Sequence, residues 1–247
     1  VYYEEMPTGA WRRHVKRKRP GTLGLCAAIK HRYNIEPVPH LLCMGFTREE
    51  TEDALIELNY LGIQNVMALR GDTSEYQKRV APDRTVNEYA VDLVSQIHEM
   101  NCGHYMEDIM DATPTEFCVG VAGYPEKHVQ APNITWDILN LKRKVDAGAE
   151  FVTTQMFFDN RHYFEFVERC REVGITVPII PGLKILTSKA QLQSLPSKFY
   201  LEIPEALAAE VEAARPEHVI DIGVEWTLRQ VEELMSANLP CIHFYII

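Results

Sequence analysis

Gly123, Tyr124, Pro125, Glu126 and His128 follow directly on a short apolar run at 117–122. Ligands of α/β proteins gather just past such strand ends. A second polar set, Asp137, Asn140 and Lys144 with Arg143 beside it, recurs at helical spacing a few residues later. A carboxylate, a carboxamide and two cations on one stripe form either a solvated helix face or a surface that holds a polar ligand. Arg70-Gly71-Asp72 closes another apolar run. From the residues alone it reads as a strand-end ion pair with a turn glycine, since adhesion through an RGD tripeptide needs an exposed loop of a secreted protein. His40 and His128 have no second histidine at H-x-H or H-x-x-x-H spacing, so no metal is expected and the structural alternative is a buried histidine. The chain has no G-x-G-x-x-G, which leaves a Rossmann-type dinucleotide domain unsupported.

The elements that must position these residues alternate regularly. Strands are expected at 38–44, 65–70, 117–122, 151–157, 178–183 and 241–247. Helices are expected at 22–33, 47–61, 87–100, 135–147, 161–173, 205–214 and 217–237, with 101–116 as an inserted loop. Thr47 and Glu50 make a capping box at the start of one helix. Gly62 stops that helix, Gly148 and Gly174 stop two others, and Asn238 takes that place near the C-terminus. Strand–helix alternation of this kind gives a parallel sheet with helices outside. In such a fold His40, Arg70 to Asp72, Tyr124 with Glu126 and His128, Gln155, Gly182 with Lys184, and Tyr245 all fall at C-terminal strand ends. Strand ends of a barrel converge on one face.

The chain has 247 residues, 46% of them hydrophobic and 24% charged, the composition of an ordinary globular protein. A formal net charge of −10 argues against general nucleic-acid binding. No apolar run reaches the roughly 20 residues of a membrane span, and no signal peptide is visible. The basic run Arg12, Arg13, Lys16, Arg17, Lys18 and Arg19 reads, in an acidic chain, as a solvated loop near a cofactor phosphate. Six cysteines without a CxxC read as reduced thiols of a cytoplasmic protein, with Cys43, Cys118 and Cys241 buried in strands.

The blocks YPEKH, NLKRKVDAGA and TQMFFD, in that order, resemble the methylenetetrahydrofolate reductase family, as do PHLLC, ALRGD, IIPGL and HFY. The resemblance runs from about His40 to Ile247. It implies a (β/α)8 TIM barrel, about six of whose eight strands are visible, forming one FAD-dependent catalytic domain over 1–247. The family's first strand, with its FEFFPP-type signature and catalytic glutamate, and the core of its second have no counterpart here. Two further strands are therefore expected upstream of Val1, and a few C-terminal residues beyond Ile247.

By the same resemblance, His40, Arg70, Gly71, Asp72, Tyr89, Ala90, Tyr124, His128, Ala131, Asp137, Asn140, Arg143 and Lys144 contact FAD. Asp72 is the catalytic residue, near both the flavin ring and the folate, and Gln155 and Gln191 contact the folate. Gln191 also reads as an ordinary solvated helix residue, and at Leu195 some members carry a phenylalanine beside the substrate. The implied reaction passes hydride from NADH or NADPH through FAD to 5,10-methylenetetrahydrofolate, giving 5-methyltetrahydrofolate for methionine synthesis. A homo-oligomer is expected. The alternatives are a flavin-binding barrel without folate reductase activity, and an unrelated metal-dependent barrel hydrolase using His40, His128 and Asp72.

Overall fold

The computed structural model describes residues 2–6, 11–14, 20–71, 83–237, 239 and 241–246. They fall into two compact units, Val1–Val119 and Gly120–Ile247.

The first unit opens with an antiparallel pair, β1 (Tyr2–Glu5) and β2 (Trp11–His14), in which Glu4 stands opposite Arg12. This corrects the solvated loop expected there. Aromatic Tyr2, Tyr3 and Trp11 are the strand signal that the run of basic residues obscured. Lys16 to Arg19 lie outside the described residues.

After α1 (Thr22–Tyr33), β3 (His40–Leu42) pairs in parallel with β4 (Asn65–Leu69), His40 opposite Met67 and Leu42 opposite Leu69. Backbone bonds from Cys43 and Met44 to Leu69 and Arg70 carry the ladder two residues further. α2 (Arg48–Tyr60) lies between these strands in the chain and starts on the expected capping box: Thr47 Oγ1 accepts from Glu50 N, and Glu50 returns the bond to Thr47 N at 2.9 Å. Leu55 and Leu58 of this helix, Val66 and Ala68 of β4, and Leu93, Val94 and Ile97 of α3 (Ala90–Asn101) are fully buried. Apolar burial of this kind is the main force holding such a layer together. The segment after α3 is a tied loop: Asn101 donates to the Phe117 carbonyl at 2.8 Å and accepts from Phe117 N at 2.9 Å, acting as a strand edge would.

The second unit holds a parallel sheet in chain order: residues 120–123 of β5 (Cys118–Gly123), then β6 (Phe151–Met156), β7 (Ile179–Leu183) and β8 (His243–Phe244). Helices α4 (Ile134–Asp146), α5 (Asn160–Glu172), α6 (Gln191–Phe199), α7 (Glu205–Ala213) and α8 (Val219–Ser236) connect its strands. β8 is shorter than expected: its ladder with β7 begins at His243, so Cys241 precedes it and is exposed rather than buried. Asn238 lies outside the described residues. α5 packs through Tyr163, which is fully buried, donates to the Ile179 carbonyl at 2.7 Å and stacks on Phe157. Gly182 has no room for a side chain, since a Cβ there would stand 2.3 Å from the Thr154 carbonyl oxygen and 2.7 Å from Tyr245 Cε2. The fold class is α/β, with the strand–helix alternation of a (β/α)8 barrel.

Candidate functional site

In the first unit β4 delivers Arg70 and Gly71 just past its C-terminal end. Gly71 has φ of +85°, a conformation that a side chain resists, and a Cβ there would approach Met44 Cβ at 3.3 Å. The Arg70 guanidinium lies over the Tyr89 ring, 5.1 Å from its centroid. Tyr89 caps α3 and Ala90 begins it, with Tyr89 N donating to Asp92 Oδ2 at 2.8 Å. The strand, the turn glycine and the helix start thus bring Arg70, Gly71, Tyr89 and Ala90 together. His40 departs from expectation. It is the first residue of β3 rather than its end, because pairing with β4 starts at His40–Met67, and it is exposed rather than buried. Asp72 lies outside the described residues.

In the second unit the turn after β5 carries Tyr124, Glu126 and His128. Tyr124 and His128 meet edge to face with centroids 4.7 Å apart. His128 Nδ1 accepts from Gln130 N at 3.1 Å, which places the proton of a neutral ring on Nε2. Lys127 Nζ donates to the Ala131 carbonyl at 2.9 Å and closes the turn around buried Ala131.

The polar stripe of α4 turns partly inward. Asp137 Oδ2 accepts from His128 N at 2.8 Å, and Lys144 Nζ donates to the Ala122 carbonyl at 2.7 Å. Asp137 and Lys144 are therefore not the solvated face that their spacing also allowed. Arg143 is exposed, and its guanidinium donates to Asn140 Oδ1 at 3.1 Å. Burial lowers the Lys144 pKa to about 8, only partly opposed by the nearby Asp137 carboxylate. An ammonium held this way is short of negative charge and is stabilised by an anion placed beside it.

Register brings a further residue to the same place. Gly123 pairs with Thr154, and one residue further along each chain are Tyr124 and Gln155. Tyr124, Glu126, Gln155, Tyr200 and Leu201 line one small pocket. Gln155 Oε1 accepts from Met156 N at 3.0 Å.

Gln191 begins α6, where its Oε1 accepts from Thr187 N at 2.7 Å and caps a local turn. Leu195 is a core residue, packed in a cluster with Met156, Phe158, Leu186, Leu201 and Leu207. Buried Lys184 follows β7, and its pKa is lowered by desolvation. Tyr245 donates to the Thr154 carbonyl at 2.9 Å, with burial pushing its hydroxyl up to about 12.

Sequence reasoning missed His162 as a neighbour of this turn. It lies in the first turn of α5, its Nδ1 3.5 Å from Glu126 Oε1. Its place soon after the end of β6 was the available signal. Among the described residues, no three His, Cys, Asp or Glu side chains cluster as a metal site, and no helix is long and apolar enough to cross a membrane.

A family model described as methylenetetrahydrofolate reductase matches residues 10–247. A 5,10-methylenetetrahydrofolate reductase of Pectobacterium carotovorum subsp. carotovorum is 32% identical over 230 residues, covering 92% of this chain and 70% of its own. The Salmonella typhimurium protein of that name is also 32% identical over 230 residues, with 92% and 71% covered. A probable methylenetetrahydrofolate reductase (NADPH) of Caenorhabditis elegans is 30% identical over 224 residues, and there the chain spans only 32% of the relative. Among solved structures, an uncharacterised Clostridium thermocellum protein that binds two copies of 5-methyl-5,6,7,8-tetrahydrofolic acid superposes with a TM-score of 0.52 at 11% identity, over 88% of this chain and 69% of that one. At that identity the likeness is one of fold.

Proposed function

The chain belongs to the methylenetetrahydrofolate reductase family, and we propose that it reduces 5,10-methylenetetrahydrofolate to 5-methyltetrahydrofolate, with FAD bound non-covalently and NADH or NADPH as the source of hydride. The names of its relatives include both nicotinamides, NADPH in Caenorhabditis elegans and NADH in rice.

The observation that carries the flavin reading is the donor set on α4 and the turn it grips. A dinucleotide brings a pyrophosphate, two sugar chains and an apolar ring. Lys144 is a half-buried cation lacking full compensation, and Arg143 is an exposed fork tethered by Asn140. Tyr124 and His128 offer ring faces and edges fixed by mutual contact, and their turn is held by Asp137. These residues fit the group. Taken by itself, the first unit holds the other residues that the resemblance assigns to FAD: Arg70, Gly71, Tyr89 and Ala90, which offer a cation, a turn glycine and a helix start, and His40 on the neighbouring strand. When bound, FAD supplies the relay of hydride between reduced nicotinamide and folate.

What the chain itself does is bind, orient and bias. Arg143 and Lys144 neutralise the pyrophosphate. Gln155 presents a carboxamide that both donates and accepts, as the edge of a pterin requires. Asp72 follows Gly71 in sequence, and we assign it a place beside the flavin ring. A carboxylate there opposes negative charge on the reduced ring and so favours donation of hydride to the folate. Gln191 completes the folate contacts through the amide end of its side chain, while its oxygen stays on Thr187.

Titration of FAD into apoprotein tests the reading. Arg143→Ala is expected to weaken binding by about 1.5–3 kcal/mol, the worth of a charge-assisted bond. Unchanged affinity would return Arg143 to the solvated face. A protein that binds FAD tightly yet leaves methylenetetrahydrofolate untouched would instead be the flavin-binding barrel.

A further inference from the structure

Glu126 sits where three segments of the second unit meet. Its Oε2 accepts from Glu202 N at 2.6 Å, joining the turn after β5 to the segment after α6. Its Oε1 is buried 3.5 Å from His162 Nδ1, also buried, and neither atom has a hydrogen-bond partner among the described residues. The two side chains are only 15% and 30% exposed.

The two segments joined at this point are both under backbone constraint. Lys127, next to Glu126, has φ of +91°, and Tyr200, two residues before Glu202, has φ of +55°. Neither is glycine, and conformations of this kind persist where surrounding contacts hold them. The wall so formed carries Tyr124, Gln155, Tyr200 and Leu201. A contact that braces two constrained loops around one pocket determines the shape of that pocket.

We propose that Glu126 is a positioning residue for the folate: its carboxylate, steadied by the His162 imidazole, clamps the 200–204 segment against the Tyr124–His128 turn and so fixes the wall on which Gln155 receives the pterin. The proposal rests on the folate reading given above for Gln155. The charged groups around Glu126 are few. His162 faces it from α5, and the Glu202 carboxylate opposes it from the clamped segment. Asp159 and Arg161 pair with each other at the start of α5, and Lys127 turns its ammonium to the Ala131 and His128 carbonyls. Burial raises the Glu126 pKa above the usual carboxylate range, with the backbone bond from Glu202 and then His162 pulling it back down. The clamp is strongest when Glu126 is ionised, because a charge-assisted bond to the Glu202 amide is stronger than a neutral one. It therefore weakens as pH falls through that raised pKa.

The test uses the full chain with FAD and methylenetetrahydrofolate, at a series of pH values. The KM for the folate is expected to rise about tenfold toward acid pH with kcat changed less than twofold. Glu126→Gln should hold KM near the acid plateau at every pH. His162→Gln should move the rise upward in pH, since His162 is one of the neighbours that pull the Glu126 pKa back down. A second readout needs neither cofactor nor turnover. The Glu202 amide resonance should titrate with the same inflection in the wild type and lose it in Glu126→Gln. If that resonance does not titrate, or titrates unchanged in Glu126→Gln, the clamp is wrong. If it titrates as expected and KM stays flat with pH in an active enzyme, the positioning role is wrong. A protein that shows the titration but turns over no methylenetetrahydrofolate overturns the folate reading, and with it the role given to Glu126 there, while leaving the clamp intact.

Discussion

Asp137 Oδ2 accepts the backbone N–H of His128 at 2.8 Å, so the first turn of α4 grips the turn that follows β5. One helical stretch further on, Lys144 grips β5 itself through the Ala122 carbonyl at 2.7 Å. A helix fastened at both ends to one strand and its loop holds Tyr124, His128 and Arg143 in one frame. That frame is what the flavin reading needs.

Removing the first grip loosens the loop more than the fold. Asp137→Ala should cost about 1–2 kcal/mol of stability, the range for a half-buried bond to a charged acceptor. It should also weaken FAD binding by more than that, because His128 and Tyr124 lose their placement. Chemical denaturation and FAD titration of the same variant check the two effects. Lost stability with unchanged FAD affinity would mean that the bond serves only the fold.

If Lys144 faces the flavin's phosphates as proposed, the affinity for FAD should depend on pH. Its pKa is depressed in the folded protein, to about 8. For a base, depression means that its contribution to stability is present above the unfolded pKa and is lost as pH falls through about 8. The apoprotein should therefore gain on the order of 2–3 kcal/mol as pH rises from about 8 to about 10, and Lys144→Met should flatten that gain. Anion binding favours the charged form, so FAD affinity should fall over the same interval in the wild type but not in Lys144→Met. Thermal melts and FAD titrations at three pH values settle both signs.

Leu195 and Gln191 separate packing from substrate contact on one helix. Leu195 is 4% exposed within an apolar cluster, and Leu195→Ala should cost about 2–5 kcal/mol. Gln191→Ala should cost under about 1 kcal/mol of stability, since it caps an exposed turn. It should raise the KM for the folate if the amide contacts substrate. Denaturant midpoints beside steady-state kinetics distinguish the two, and a Gln191→Ala enzyme with unchanged KM would reduce that residue to its turn.

Periodicity alone placed most of this architecture. The Thr47–Glu50 capping box, the strands starting at Asn65 and Phe151, and the helix stops near Gly62, Gly148 and Gly174 are local features, and local spacing finds them. Spacing also found the stripe of Asp137, Asn140 and Lys144, but it gives a helix face and not the partner of that face. Whether Lys144 meets water or the Ala122 carbonyl depends on the packing of α4 against β5. His40 was misplaced for a similar reason: an apolar run shows that a strand exists, while the register with Met67 decides where pairing begins. The approach of Glu126 to His162 was beyond reach of spacing, because 36 residues separate them and only the parallel pairing of Gly123 with Thr154 brings their segments together. The antiparallel pairing of Tyr2–Glu5 with Trp11–His14 was hidden by its own charge, since a basic run reads as loop unless its aromatic flanks are weighed.

Asp72 carries the chemical part of the account. Asp72→Asn should raise the reduction potential of bound FAD, because a negative charge beside the reduced ring is removed. It should slow oxidation of the reduced flavin by methylenetetrahydrofolate more than reduction by the nicotinamide. Potentiometry together with the separate half-reactions checks this, and equal slowing of both would move Asp72 out of the folate step.

The central claim is that one bound flavin links a nicotinamide to methylenetetrahydrofolate. Anaerobic stopped-flow tests it most directly: the protein with FAD is reduced by NADH or NADPH, freed of nicotinamide, and mixed with 5,10-methylenetetrahydrofolate. The account predicts that the bleached flavin absorbance returns in one kinetic phase, with one 5-methyltetrahydrofolate formed per flavin. A flavin that is reduced by nicotinamide but stays bleached on addition of the folate would contradict it.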